Sequence, residues 1–267
     1  MRGVMRSAMK DRLDILVVAR GLAESREQAQ RLILAGAVRV NGHVASKAGH
    51  TFDTAVPIER TAQPRFVSRG GDKLEGAFAA FPIAVTGLDC VDVGASTGGF
   101  TDCLLQHGAA RVAAVDVGRA QLHGRLQQDP RVTRIEGLNA RYLTRADLPF
   151  VPQFGVTDVS FISLRLILPP LARVLAPGSG LISLIKPQFE AGRGMAPKGV
   201  VRDPEVRRAV VEAIRTFGTT EAGLEWLGVA PSPLLGPDGN VEFLAYWRTR
   251  HEEQRNSQRE TQPEAGV

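Results

Sequence analysis

The 267-residue chain contains only two cysteines, Cys90 and Cys103. They show no C-x-x-C spacing and no histidine cluster stands beside them in sequence. A disulfide framework and a zinc site are therefore not expected, and neither is any other metal. Long apolar runs are missing as well. The most apolar stretch, residues 164–185, is interrupted by Arg165, Arg173, Pro169, Pro170 and Pro177, so nothing reads as a membrane span. The start, MRGVMRSAMKDRLDILVVARG, imitates a signal peptide, but Asp14 breaks it and the apolar remainder, residues 15–19, is too short. A cytoplasmic, monomeric protein without a membrane partner is expected. At 43% hydrophobic and 23% charged residues, wholesale disorder and fibrous repeats are excluded.

The charge is unevenly spread. The formal net charge is +5, and residues 1–50 hold nine Lys/Arg against four Asp/Glu, which accounts for all of it. A basic N-terminal module on a neutral body points to a polyanion, with nucleic acid the first candidate; a solvated surface is the competing reading.

Within that module Leu13, Leu16 and Val17 recur at helical spacing, and Gly21 closes the segment. Ser25 caps a second helix, residues 26–35, with Ala29, Leu32 and Ile33 on one face. A strand at residues 38–40 then enters the Asn41-Gly42 hairpin turn. The stretch RLDILVVARGLAESREQAQRLILAGAVRVNGHVASKAG resembles the S-four-type RNA-binding domain. That resemblance implies RNA contacts by Arg12, Arg20, Arg26 and Arg31, and Arg65 and Arg69 continue the basic series toward the second domain. Domain limits are expected at 1–60 for the RNA-binding domain, 61–67 for a linker, 68–248 for a catalytic domain and 249–267 for a disordered tail.

The remainder alternates strands (89–93, 111–116, 132–136, 155–158, 180–185) with helices (99–107, 121–127, 166–175, 204–217). This is the pattern of a doubly wound, mostly parallel α/β sheet of Rossmann type. Runs at 226–231 and 241–248, joined through GPDGN, predict a closing antiparallel pair. In DCVDVGASTGGF a strand passes through a glycine turn into a helix, but with D-x-G-x-x-x-G-G spacing and not G-x-G-x-x-G. Asp92 beside the turn would repel a pyrophosphate and favour a cation such as the sulfonium of S-adenosylmethionine. The turn residues Gly94, Ala95, Ser96, Gly98, Gly99 and Phe100 are the candidate contacts to that cofactor, with Gly94 and Gly98 letting the backbone approach it. Asp116, at the end of the next strand, is placed for a ribose diol. Asn139 is either a contact to the adenine edge or an ordinary turn residue.

Polar residues at strand ends complete the set. Asp158 and Lys186 follow strands, Glu242 lies in the final strand, and Lys73 stands near the start of a helix before the first strand. VSRGGDKL, DVGASTGGFTDCLL, DVSFISL, IKPQFE and NVEFLAYW, following the basic module, look like the TlyA family. These are ribosomal RNA ribose 2′-O-methyltransferases, also labelled haemolysins, whose catalytic domain is similar to the FtsJ-type enzymes. The resemblance spans nearly the whole chain. It implies a seven-stranded fold, S-adenosyl-L-methionine as methyl donor, and ribosomal RNA or ribosomal subunits as partner. It also places a Lys-Asp-Lys-Glu catalytic tetrad on Lys73, Asp158, Lys186 and Glu242, and lets Phe66 couple RNA docking to cofactor binding. Lys186 is then the residue nearest the ribose hydroxyl, taking its proton or stabilising the developing oxyanion. The alternatives are an RNA-binding assembly factor with an inactive fold, a membrane-active haemolysin, and a nicotinamide dehydrogenase that the glycine spacing disfavours.

Overall fold

The computed structural model describes residues 10–34, 36–45, 47–61, 65–192 and 195–250. Expectations for Ala35, for connector residues 62–64 and for the tail beyond Arg250 lie outside the described residues. The chain divides into two units, residues 1–65 and 66–267.

The first unit contains β1 (Lys10–Arg12), α1 (Leu13–Ala19), α2 (Arg26–Leu34), β2 (Val38–Val40), β3 (His43–Val44), β4 (Thr51–Asp53) and β5 (Ile58–Arg60). Ser25 Oγ accepts from the Gln28 amide at 3.2 Å, capping α2, and Gly21 and Gly36 take positive φ where the helices end. Asn41 and Gly42 both have positive φ, so the β2–β3 connection is the tight hairpin that Asn-Gly encodes. β5 pairs with the other edge of β2, and β1 pairs with β4. Leu13, Leu16, Val17, Ala29, Leu32 and Ile33 bury against Val38, Val40 and Ile58 as one core.

Asp14 is fully buried at the start of α1 and accepts from Arg12, Arg26 and Gln30 at 2.8–3.1 Å. The Arg12 guanidinium, helped by Gln30 and Arg26, holds this carboxyl well below the usual carboxylate range against the opposing cost of burial. Arg12 and Arg26 thus tie α2 to the start of α1. Their side chains remain 45% and 56% exposed, so the outward faces stay available to solvent or an anion.

The second unit contains α3 (Arg69–Ala80), β6 (Asp89–Val93), α4 (Gly99–Gln106), β7 (Arg111–Asp116), α5 (Gly124–Gln127), β8 (Val132–Glu136), β9 (Phe154–Thr157), α6 (Leu168–Val174), β10 (Gly180–Ile185), α7 (Pro187–Glu190), α8 (Pro204–Thr220), β11 (Leu224–Pro231) and β12 (Phe243–Thr249). Its seven strands run in the order β11-β12-β10-β9-β6-β7-β8, with only β12 antiparallel to its neighbours. Alternate residues face opposite layers. Val91, Val93, Ala113 and Val115 pack with α6 and Trp247, while Cys90, Val112 and Ala114 pack with α3 and α4.

Three expectations need correction. Thr249 is not part of a tail: it ends β12, is buried, and donates to the Ala176 carbonyl at 2.7 Å. Phe66, assigned to the linker, is buried against Gly71 in the second unit's core. Glu242 immediately precedes the final strand and is not in it.

Candidate active site

The chain runs outward from β6 through β7 to β8, then returns to β9 on the other side of β6, and this switch point opens a crevice at the strand C-termini. A cleft of about 450 Å³ lies there. Its wall comes from the N-terminal end of α3 (Arg69, Gly70, Lys73), the glycine turn, and the ends of β9 and β10 (Asp158, Lys186).

All four polar strand-end residues meet. Lys186 Nζ lies 2.6 Å from Asp158 Oδ1 and donates to Ser160 Oγ at 2.8 Å. Lys73 Nζ donates to Glu242 Oε2 at 2.6 Å and stands 3.9 Å from Asp158 Oδ2. Glu242 is fully buried and Lys186 is 7% exposed, so the Glu242–Lys73–Asp158–Lys186 chain is an electrically balanced network with its lysine end facing the cleft. Two bases and two acids cancel formally, so the cluster brings no net charge into this mostly desolvated position.

The glycine turn is built for internal contacts. Gly94 has φ +83, and a Cβ there would approach the Asp158 carbonyl to 2.9 Å. Gly98 has φ +93, and a Cβ would strike Leu126 Cδ1 at 2.3 Å. Gly98 is thus favoured by its left-handed backbone and by its close packing against Leu126 and Leu122, and it is not among the residues that line the cleft. Gly94, Ala95, Ser96, Gly99 and Phe100 do line it.

Asp92 is not at the cleft surface, contrary to expectation. It shares strand parity with Cys90, so it points under the turn toward α4, where Oδ2 accepts from Thr101 Oγ1 at 2.7 Å and Oδ1 lacks a hydrogen-bond partner. Burial pushes this carboxyl up to about 7, with Thr101 opposing and Asp158 and Asp116 adding to the rise. A raised folded value means a contribution that is complete below about pH 4, where the unfolded carboxyl is also protonated, and that is lost as pH climbs through about 7. Denaturant titrations should show stability falling by about 4 kcal/mol across that window from this group. Asp92→Asn, which still accepts from Thr101, should flatten the slope; an unchanged pH profile would contradict the assignment.

Asp116 accepts from the Ser96 amide and the Gly118 amide, both at 2.7 Å, and shares a recess of only about 10 Å³ with Ala95, Ser96, Gln121 and Leu122. The acid is thus placed beside the turn, next to side chains that narrow the recess. Asn139 lines neither space; its Oδ1 caps a short 3-10 turn by accepting from the Arg141 amide at 3.1 Å. Among the arginines, Arg69 lines the cleft and donates to the Leu235 carbonyl. In the first unit, Arg20 is half-buried and donates to the Thr54 carbonyl, while Arg31 and Arg65 are exposed.

Sequence reasoning missed three contributors. Ser160, which receives Lys186, and Phe161 lie inside DVSFISL and carry no signal beyond adjacency to Asp158. Phe161 is 91% exposed, has φ +62, and stands 5.1 Å from the Phe189 ring. Glu190 accepts from Ser163 Oγ at 2.6 Å and the Leu164 amide at 2.7 Å, anchoring the loop that carries Phe161 to α7.

A crevice lined by a glycine turn, with an acid one strand further on and a reversed β12, in a chain that the FtsJ-like methyltransferase model matches, defines an S-adenosylmethionine-dependent methyltransferase. The chain belongs to the FtsJ-like methyltransferase family, whose model matches residues 66–249, and an S4 domain matches residues 11–54. It is 49% identical to YqxC, a candidate rRNA methyltransferase of Bacillus subtilis, over 90% of this chain and 86% of that one. It is 46% identical to the 16S/23S rRNA (cytidine-2′-O)-methyltransferase TlyA of Mycobacterium tuberculosis, over 91% of each. The solved structure of a candidate haemolysin from Streptococcus thermophilus is similar with a TM-score of 0.71 at 44% identity, covering 91% of this chain and 90% of that one.

Proposed function

We propose that this protein methylates the 2′-hydroxyl of a cytidine ribose in ribosomal RNA, working as a cytoplasmic monomer on a ribosomal subunit. The observation that carries the reading is the balanced Lys73–Asp158–Lys186–Glu242 network ending in Lys186 at the cleft. The substrate class is supported by the S4 domain and by the named activity of the mycobacterial relative.

The residues present fit the methyl donor. The first turns of α3 and α4 converge on the cleft and offer backbone N–H groups and partial positive charge to a carboxylate, and Asp116 suits a ribose diol. When bound, S-adenosylmethionine supplies an electrophilic methyl group. A ribose hydroxyl is a poor nucleophile, so it must be held in line and its developing charge met. Lys186, fixed by Asp158 and Ser160, places an ammonium where that oxyanion forms. Glu242 holds Lys73, and Lys73 in turn holds Asp158. Phe66 and Val67 support the coupling role of their segment: Phe66 packs on α3 and the Val67 amide donates to Asp102 Oδ2 in α4 at 2.8 Å.

An exposed aromatic with positive φ, immediately after the Ser160 that accepts from Lys186, suits a base lifted out of its stack. Phe161→Ala should lower kcat/KM for RNA about tenfold or more, the worth of one base–aromatic stack, with cofactor affinity unchanged in calorimetry. Equal kcat/KM would remove Phe161 from the RNA site.

The decisive test maps ribose methylation in ribosomal RNA from cells lacking the gene, complemented with the wild type or with Lys186→Ala. A 2′-O-methylcytidine that disappears and returns only with the wild type supports the reading. Unchanged maps favour the assembly-factor alternative. For the haemolysin reading, no helix among the described residues is long and apolar enough to cross a membrane.

A further inference from the structure

On the far side of α3 and α4 from Lys73, a carboxylate, a thiol and an imidazole come together. The donor atoms of Glu75, Cys103 and His107 all lie within 4.8 Å of one another. We propose that these three residues form a binding site for a zinc-class divalent transition-metal ion that clamps α3 to α4. This departs from the expectation drawn from cysteine spacing, because one ligand comes from a different helix.

Cys103 and His107 are four residues apart and so share one face of α4 at its C-terminal end. Glu75 faces them from α3. His107 Nε2 lies 2.8 Å from Glu75 Oε2, and Cys103 Sγ lies 3.8 Å from the same oxygen. In a tetrahedral zinc site with ligand bonds of about 2.0–2.3 Å, neighbouring donors stand about 3.4 Å apart. The observed distances bracket that value, so the imidazole–carboxylate contact must open slightly while the others close. Room for this exists: the His107 and Glu75 side chains are 27% and 32% exposed, which also gives the ion an entry path and leaves a position for water. Phe78 lies flat on the imidazole, 3.8 Å between centroids and 2° from parallel, and fixes the ring plane with Nε2 toward Glu75.

The donor chemistry selects the ion. One thiolate, one imidazole and one carboxylate suit zinc or cobalt(II), and do not suit magnesium or calcium, which take oxygen ligands. On binding, the Cys103 S–H proton passes to solvent as the sulfur–metal bond forms, and neutral His107 coordinates through Nε2. Glu75 stands two residues from Lys73 and α4 begins at the glycine turn, so the clamp joins the two helices that frame the cleft without touching it.

The test uses the full-length chain, stripped with chelator and titrated with cobalt(II). A thiolate-to-cobalt charge-transfer band should appear, saturate at one ion per chain, bleach on adding zinc and ignore magnesium. Cys103→Ala should abolish the band. Glu75→Gln and His107→Ala should each weaken binding at least about tenfold, since even outer-shell partners of metal ligands are worth that much. Absence of the band in the wild type, or its survival in Cys103→Ala through Cys90, overturns the site. If Cys103→Ala fails to fold, the two partly exposed positions decide: unchanged affinity in both overturns it. Cofactor binding, followed in parallel, reports on the methyltransferase reading independently.

Discussion

Lys186→Ala should lower single-turnover methyl transfer by about 10³-fold or more while S-adenosylmethionine still binds, because, on the proposed reading, it removes the lysine that Asp158 and Ser160 hold toward the developing oxyanion. The network makes the loss larger than that of a lone surface lysine. Asp158 and Ser160 both lose the partner that lies within 2.8 Å of them, and the cluster passes from neutral to a net negative charge. Negative charge at the place where an alkoxide must form raises the barrier further. Lys73 remains 3.9 Å from Asp158 but is already held by Glu242 at 2.6 Å, so it is a poor substitute. Calorimetry for the cofactor and transfer of a labelled methyl group to ribosomal RNA separate binding from chemistry. Full turnover in the variant would remove Lys186 from the mechanism.

Why those four residues could be picked out of the sequence, and others could not, follows from how each is signalled. β6, β7 and β10 fall at the expected bounds because interior parallel strands are nearly continuous apolar runs ended by polar residues or glycine; β8 matches its expected bounds too, although it is an edge strand with exposed polar residues. Asp158 and Lys186 stand out because each ends such a run. By contrast β1, β4 and β5 have three residues each, too few for alternation to register, and they exist because tertiary pairing supplies the hydrogen bonds. The expected helix at 121–127 contracts to α5 because His123 takes an extended conformation and caps the helix start, its Nδ1 accepting from the Arg125 amide at 3.2 Å.

Burial direction was harder to read than position. Asp92 was visible as the acid before the turn, but strand parity sends it beneath the turn, where it meets Thr101. Gly98 is visible as a turn glycine, but its close packing against Leu126, 28 residues away, is not. The Cys103–His107 spacing was present in the sequence, but Glu75 joins it only through the packing of two helices. Arg12 and Arg26 looked like free cations because Asp14, their shared partner, reads locally as an interruption of an apolar run.

That sharing also sets the size of the second large effect. Removing residues 1–65 should weaken RNA binding and flatten its salt dependence, while leaving cofactor affinity intact. All residues lining the cleft belong to the second unit, and Phe66, which packs in its core, stays with it. Arg20 is committed to the Thr54 carbonyl, and Arg12 and Arg26 present only their outer faces. Together with exposed Arg31, Arg39 and Lys47, this leaves fewer phosphate contacts than the nine basic residues of the first 50 suggest. For about four contacts, truncation should reduce the slope of log K against log salt by about 3.6, and the affinity lost between about 50 and 200 mM salt should shrink by about 10²-fold. Filter binding of ribosomal RNA over a salt series measures both quantities. If affinity and slope are unchanged after truncation, the positive charge is a solvated surface, and substrate recognition must reside in the second unit, around Arg69 and the exposed Phe161.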